Sequence, residues 1–222
     1  MYMPVAATSA TRPGPRPSTS RHEIVQCAIH MLDRVGPEAL TFRAVARELG
    51  ITVGALSRYF RNLADLQDEV AARIMSDLRP LDAASKLGLR EQLVRLGMDW
   101  LEINRAHPYL MTIHGAASAT MVARHTGRCV KVLLDDGIDF ERALAIYSIL
   151  GNLAYSWGVH SAKRGNAELQ ARIMQAFSDE IGEFAPQMAK LTATATTAIY
   201  RRSFVLLMDG LLPGKTAAGK KR

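Results

Sequence analysis

Between residues 41 and 61, TFRAVARELGITVGALSRYFR, the chain carries Arg43, Arg47, Arg58 and Arg61 against a single acid, Glu48. Four charges minus one leaves three net positive charges on two short helical segments separated by Gly50-Ile51-Thr52. Side chains of this length donate to guanine edges and to phosphates. Gly54, Ala55 and Ser57 stand beside them and would let a backbone lie close to base edges. An ordinary amphipathic surface helix would carry long Lys and Glu side chains paired four residues apart. The chemistry these residues suit is therefore entry into a groove of DNA. On the second segment Val53, Leu56 and Phe60 are expected to face the core. Thr52, Gly54, Ala55, Ser57, Arg58 and Tyr59 are left toward solvent.

Other chemistries find less support. Six histidines (His22, His30, His107, His114, His125, His160) form no metal-type spacing, apart from the coincidental pair His125 and Cys129, so no metal is expected. Cys27 and Cys129 lie far apart, and Cys27 on an apolar helix face reads as a buried free thiol. No Gly-x-Ser-x-Gly or glycine-rich phosphate loop occurs, and Gly214-Lys215-Thr216 lacks the upstream glycine and the strand of a P-loop. Neither an enzyme nor a cofactor is expected.

The 222 residues carry a net charge of +7, with 48% hydrophobic and 22% charged residues. Such a chain buries a sizeable core and favours an anionic partner. It contains no apolar run of about 18 residues, so no membrane span is expected. The N-terminus lacks the charged and apolar regions of a secretory signal, so a cytoplasmic location is expected.

The elements that would position the arginines are all helical. Residues 1–20, rich in Pro, Ser and Thr with Arg12 and Arg16, read as a flexible basic arm. It is either an unremarkable terminus or, with Arg21, an arm that reaches phosphates or a minor groove. Ser20 and Glu23 have capping-box spacing ahead of Ile24, Ala28, Met31, Leu32 and Val35, and Gly36-Pro37 stops that helix. A second helix follows Thr41 with Val45, Ala46 and Leu49 inward and ends at Gly50; Thr52 caps a third. Asn62 caps a fourth, bearing Leu66, Val70, Ile74 and Leu78. Longer helices are expected over 89–104, 120–135, 140–163, 167–184 and 198–211. Small residues Gly151, Ala154, Ser156 and Gly158 on one of them invite close helix packing. The fold class is all-α: a helix-turn-helix domain over 21–72, a larger helical domain over 73–211, and a basic tail over 212–222.

GPEALTFRAVARELGITVGALSRYFRNLADLQDEVA, residues 36–71, resembles the N-terminal domain of the tetracycline-repressor (TetR) family of bacterial transcriptional regulators. The resemblance implies that Arg43, and Thr52, Val53, Gly54, Ala55, Arg58 and Tyr59, sit where the family contacts DNA. Two positions depart from the pattern. Ser57 replaces a usual Tyr, and Leu63 replaces a phosphate-contacting Lys; both changes weaken the phosphate grip. Arg61 or the arginines of the arm would substitute.

Residues 126–160 are more faintly similar to the family's dimerising and cavity-bordering helices, and 201–213 to its last, dimer-forming helix. Asn152 stands where the tetracycline-binding subgroup has a His that helps hold a magnesium–drug chelate, which argues against that ligand. Trp100, His114, Met121, Tyr147, Asn152 and Tyr155 are the candidates for lining an apolar cavity with few polar anchors. The resemblance implies a homodimeric repressor that a small apolar or amphipathic effector releases from a palindromic double-stranded operator. The competing expectation is a helical small-molecule-binding protein or enzyme that retains a helix-turn-helix-like hairpin.

Overall fold

A computed structural model describes residues 19–113, 115–162, 175, 179 and 196–212. Among these residues all regular structure is helical, as the apolar spacing predicts. The helices are α1 (Arg21–Val35), α2 (Phe42–Glu48), α3 (Val53–Leu56), α4 (Leu63–Met75), α5 (Leu89–Ala106), α6 (Ala116–Asp135), α7 (Phe140–Ala162) and α8 (Thr196–Leu211). Short 3-10 turns occupy Pro37–Ala39 and Leu110–Thr112. The arm over 1–18, the tail from 213 and the helix expected over 167–184 lie outside the described residues.

The first four helices begin where a side chain can satisfy a free backbone N–H. The Ser20 hydroxyl accepts from Glu23 N at 3.1 Å, and Glu23 Oε2 accepts from Ser20 N at 2.7 Å, closing the capping box. Thr41 and Thr52 each accept from the amide three residues on, both at 3.1 Å, and Asn62 accepts from Asp65 N at 2.8 Å. Each such cap is worth ~1 kcal/mol. Gly36 ends α1 at φ +80° and Gly50 follows α2 at φ +66°, conformations that strain a residue bearing a Cβ. Ile24, Ala28, Leu32, Val45, Leu56, Phe60, Leu66 and Val70 close a core among these helices. Two apolar residues expected in that core are outside it. Val35, the last residue of α1, is 50% exposed, and Val53, the first of α3, is 40% exposed. Cys27 is half-buried rather than enclosed.

The larger helices pack differently. Gly97 of α5 is the point where α7 and α8 meet it: a Cβ there would fall 2.5 Å from Leu150 Cδ2 and 2.8 Å from the Phe204 ring. Gly158 of α7 presses on α5, its absent Cβ lying 2.5 Å from Asn104 Cβ and 3.0 Å from the Leu101 carbonyl oxygen. Ala154 is buried in the same contact. Gly151 faces open space and Ser156 is exposed, so only two of the four small residues on α7 serve the crossing.

Two carboxylates from the first four helices reach the segment between α5 and α6. Asp68 of α4 accepts from Ala117 N at 2.7 Å, Ser118 N at 2.9 Å and the Ser118 hydroxyl at 2.7 Å, capping the start of α6. Gly115 is required there, because a Cβ would fall 2.5 Å from Asp68 Cγ. Asp33 of α1 accepts from Tyr109 Oη at 2.6 Å and meets His107 Nδ1 at 2.7 Å. Helix α4 itself runs unbroken past residue 72.

Candidate nucleic-acid interface

The α2–turn–α3 unit is held from within and open without. Ile51 N donates to the Ala46 carbonyl at 2.9 Å, closing the turn behind Gly50. Leu56 and Phe60 anchor α3 and the turn after it. Over the outer surface lie Arg43, Arg47, Thr52, Val53, Gly54, Ser57, Arg58 and Arg61, all exposed, with Ala55 and Tyr59 half-buried. Val53 thus belongs to the outer set rather than the core, because the helix is only one turn long and its first residue lies above the packed layer. Gly54 has only Thr52 Oγ1 within 4 Å of where a Cβ would be, at 3.9 Å, and its φ is not positive. Nothing among the described residues requires a glycine there. Ser57 donates its hydroxyl back to the Val53 carbonyl at 3.0 Å.

The arginines divide by partner. Among the described residues Arg43, Arg47 and Arg58 make no ion pair and no side-chain hydrogen bond. Glu48, next to Arg47 in the chain, pairs instead with Arg34 of α1 at 3.3 Å. Arg61 grips Asp65 through two nitrogens, at 2.7 and 2.9 Å. That hydrogen bond holds the Asp65 carboxyl below its usual range.

Arg21 is not available to an outside partner in the way its place in the sequence suggested. It pairs with Glu69 through Nε at 2.8 Å, donates to the Tyr59 carbonyl, and lies 4.3 Å from the centroid of the Phe60 ring. Tyr59 in turn donates its hydroxyl to the Thr19 carbonyl. Periodicity could not reveal these contacts, since they join residues 38 to 48 positions apart.

Residues 24–70 match the family model described as bacterial regulatory proteins, tetR family. The N-terminal domain is a tetR-family domain. The chain is also 31% identical over 104 residues to the HTH-type transcriptional repressor DrrR1 of Streptomyces coeruleorubidus, a match covering 46% of this chain and 37% of that protein's length. In overall fold it is similar to the TetR family protein ActR of Streptomyces coelicolor, solved in complex with actinorhodin. The identity is 19%, the TM-score 0.68, and the cover 92% of this chain and 100% of that one. BioQ, solved with its double-stranded DNA operator, is similar at 22% identity and TM-score 0.54, over 70% of this chain and 94% of that one. The tetR-family domain carries the open face described above, and the all-helical body behind it shares the architecture of these structures.

In the body, Trp100 and Tyr147 are brought together through His125, which spacing alone had set aside. The Trp100 ring meets His125 edge-on at 6.3 Å, and Tyr147 Oη lies 2.9 Å from His125 Nδ1. Cys129 Sγ sits 3.7 Å from the same nitrogen, so the i,i+4 pairing of His125 and Cys129 on α6 was the available signal. Burial, with Arg128 nearby, pushes the His125 pKa down against a hydrogen bond with the Arg79 backbone that raises it; burial raises the Tyr147 hydroxyl to about 12 and raises the Cys129 thiol. Among the described residues Asn104 Oδ1 is buried without a hydrogen-bond partner, and the Arg79 backbone faces the His125 ring. Met121 and Tyr155 are half-buried. Asn152 is exposed and does not join the His125 cluster: five residues from Tyr147, it points about 140° away around α7. His114 lies outside the described residues.

Proposed function

We propose that the chain is a cytoplasmic, homodimeric transcriptional repressor that binds a palindromic double-stranded DNA operator and is released by a small apolar or amphipathic effector. The observation that carries the DNA reading is the outer face of α2 and α3. Three arginines without partners among the described residues stand around Gly54, Ala55 and Ser57, a surface both charged and low enough to approach bases. Arg43, Thr52, Val53, Gly54, Ala55, Ser57, Arg58, Tyr59 and Arg61 form the interface in this reading. The relative DrrR1 is named a repressor, and BioQ is solved on its operator.

The division of labour follows the helices, with residues 21–72 reading DNA and 73–211 holding the partner subunit and the effector. Ile199 and Leu206, seven residues apart on α8, are exposed apolar side chains that a twin helix would cover. Trp100, Met121, Tyr147 and Tyr155, with the buried Asn104 Oδ1, supply the apolar surface and polar anchor that an effector would use. ActR, of similar fold, is solved with actinorhodin.

An effector need only bind better to a conformation in which the two α3 helices are wrongly spaced for the operator. Asp68 and Asp33, fastened to the α5–α6 segment, would carry that difference into the DNA-binding helices. The test is selection of bound duplexes from a random library, followed by affinity measurement with Arg58→Ala. Loss of about 1–3 kcal/mol is expected for a base-reading arginine. Unchanged affinity would remove Arg58 from the interface.

A further inference from the structure

Resting on the DNA-binding reading above, we propose that Arg47 is a phosphate-contacting residue of α2, and that Arg34 of α1 is a positioning residue that holds the Glu48 carboxylate away from that contact.

Helix α2 turns Val45 and Ala46 into the core. Arg43 and Arg47, one turn apart and about 40° apart around the axis, share its outer side. Both are exposed, and neither has a partner among the described residues. The acid next to Arg47 in the chain is drawn off. Glu48 Oε1 accepts from Arg34 Nη2 at 3.3 Å, across from α2 to the last turn of α1. Both charges are felt at Cys27 of α1: burial and then Glu48 raise its thiol pKa, and Arg34 lowers it. The ion pair thus lies on the α1 side of α2. Arg61 is engaged by Asp65. Of the five charged side chains between residues 41 and 61, Arg43, Arg47 and Arg58 are left free, all of one sign.

In a helix-turn-helix unit the second helix enters the groove while the first crosses the sugar–phosphate backbone. A cation on the outer side of α2 is therefore placed for phosphate, which positions the protein without reading sequence. A guanidinium takes two phosphate oxygens at once through its paired N–H donors. A carboxylate one residue away would repel the same phosphate, and a carboxylate bound to Arg47 would have to be displaced before DNA could bind. Arg34 removes both obstacles by holding Glu48 from α1. The side chains of the pair are 52% and 42% exposed, so it adds little to the fold, and its effect is expected on the charge of the face rather than on stability.

The experiment uses the full chain and a fluorescent duplex that the wild-type chain enriches from a random library, with affinity measured across a series of salt concentrations. A shuffled duplex of the same composition is measured beside it. The logarithmic salt slope of R47A is expected to be shallower by roughly 0.9 per bound subunit, and by the same amount on both duplexes. R47Q, which keeps most of the side-chain length and loses the charge, is expected to match R47A. R34A is expected to weaken binding roughly two- to fivefold in the wild-type background, the range of an exposed charge–charge interaction, and not at all in the E48Q background.

An unchanged slope in R47A and R47Q overturns the phosphate contact and leaves Arg43 and Arg58 standing as the interface. A loss confined to the enriched duplex also overturns it, because Arg47 would then read a base. An equal loss from R34A in both backgrounds overturns the positioning role, since Arg34 would then act on DNA directly. If the wild-type chain enriches no duplex, the DNA reading fails and this proposal with it.

Discussion

The first four helices all start under local caps, whereas of the next three only α7 does, Asp139 Oδ1 accepting from Arg142 N at 2.9 Å. In the N-terminal half, α1, α2, α3 and α4 are each capped by the residue just before them, Ser20, Thr41, Thr52 and Asn62. In the body, α5 and α6 follow Gly88 and Gly115, which have no side chain to offer. The N-terminal amides of α6 are satisfied from elsewhere, by Asp68 about 50 residues away in the chain. A unit that caps its own helices holds its shape by local chemistry and can present a face built for something else. A unit whose helices borrow caps and crossing points from distant residues changes shape when those distant residues move. The first property suits a rigid reader of a groove, the second a body that responds.

Packing of the body should be the most sensitive place to break this contrast. Gly158→Ala adds a methyl where Asn104 Cβ and the α5 backbone already stand. The helix gains up to ~1 kcal/mol from replacing glycine, but the clash forces α5 and α7 apart. We expect a net loss of about 1–3 kcal/mol in urea denaturation, against a gain of up to ~1 kcal/mol for Gly151→Ala, which meets nothing. Equal effects at the two positions would show that the crossing is not held at Gly158.

Next in size is the borrowed cap. Asp68→Ala should cost about 1–2 kcal/mol at neutral pH, leaving the Ala117 and Ser118 amides without their acceptor. Burial alone would raise the Asp68 pKa, but hydrogen bonds from the Ser118 amide and hydroxyl, then Ala117 and Gly115, hold it below the usual value. A carboxyl depressed in the folded state stabilises fully above its unfolded pKa, and the contribution is lost as pH falls through the folded pKa. The stability difference between wild type and Asp68→Ala should therefore shrink below pH ~4. A difference that stays constant down to pH ~2 would mean that charge at Asp68 does not matter to the latch.

The same contrast explains what could be read in the sequence. Ser20 with Glu23, Thr41, Thr52 and Asn62 announce their helices because cap and amide lie within three residues. The open face of α2 and α3 was legible for the same reason, apart from Val53: a helix of one turn has too few residues for periodicity to tell its rim from its core. Local reading failed for Asp68, Asp33 with His107 and Tyr109, and Arg21 with Glu69, whose partners lie tens of residues apart. It failed also for Gly97, which no pattern of small residues flagged, since Leu150 and Phe204 come from two other helices. Asn152 was singled out by likeness to another subgroup's ligand position, and the turn of α7 leaves it exposed.

The smallest effect tests the self-contained half. Arg61 holds Asp65 from the adjacent turn with its side chain 87% exposed, an i,i+4 pair in water. Such pairs contribute a few tenths of a kcal/mol and are screened by salt. Arg61→Ala should therefore leave stability nearly unchanged, because the Asn62 cap holds the start of α4 by itself. Operator binding should respond separately. If Arg61 exchanges Asp65 for a phosphate in the complex, the salt slope falls by about 0.9 while stability stays fixed. A stability loss above ~1 kcal/mol would mean that the charge pair, and not the cap, sets the start of α4. The self-contained half would then depend on a contact for which a phosphate would compete, and the contrast between a rigid reader and a responsive body would weaken at a residue of the proposed interface.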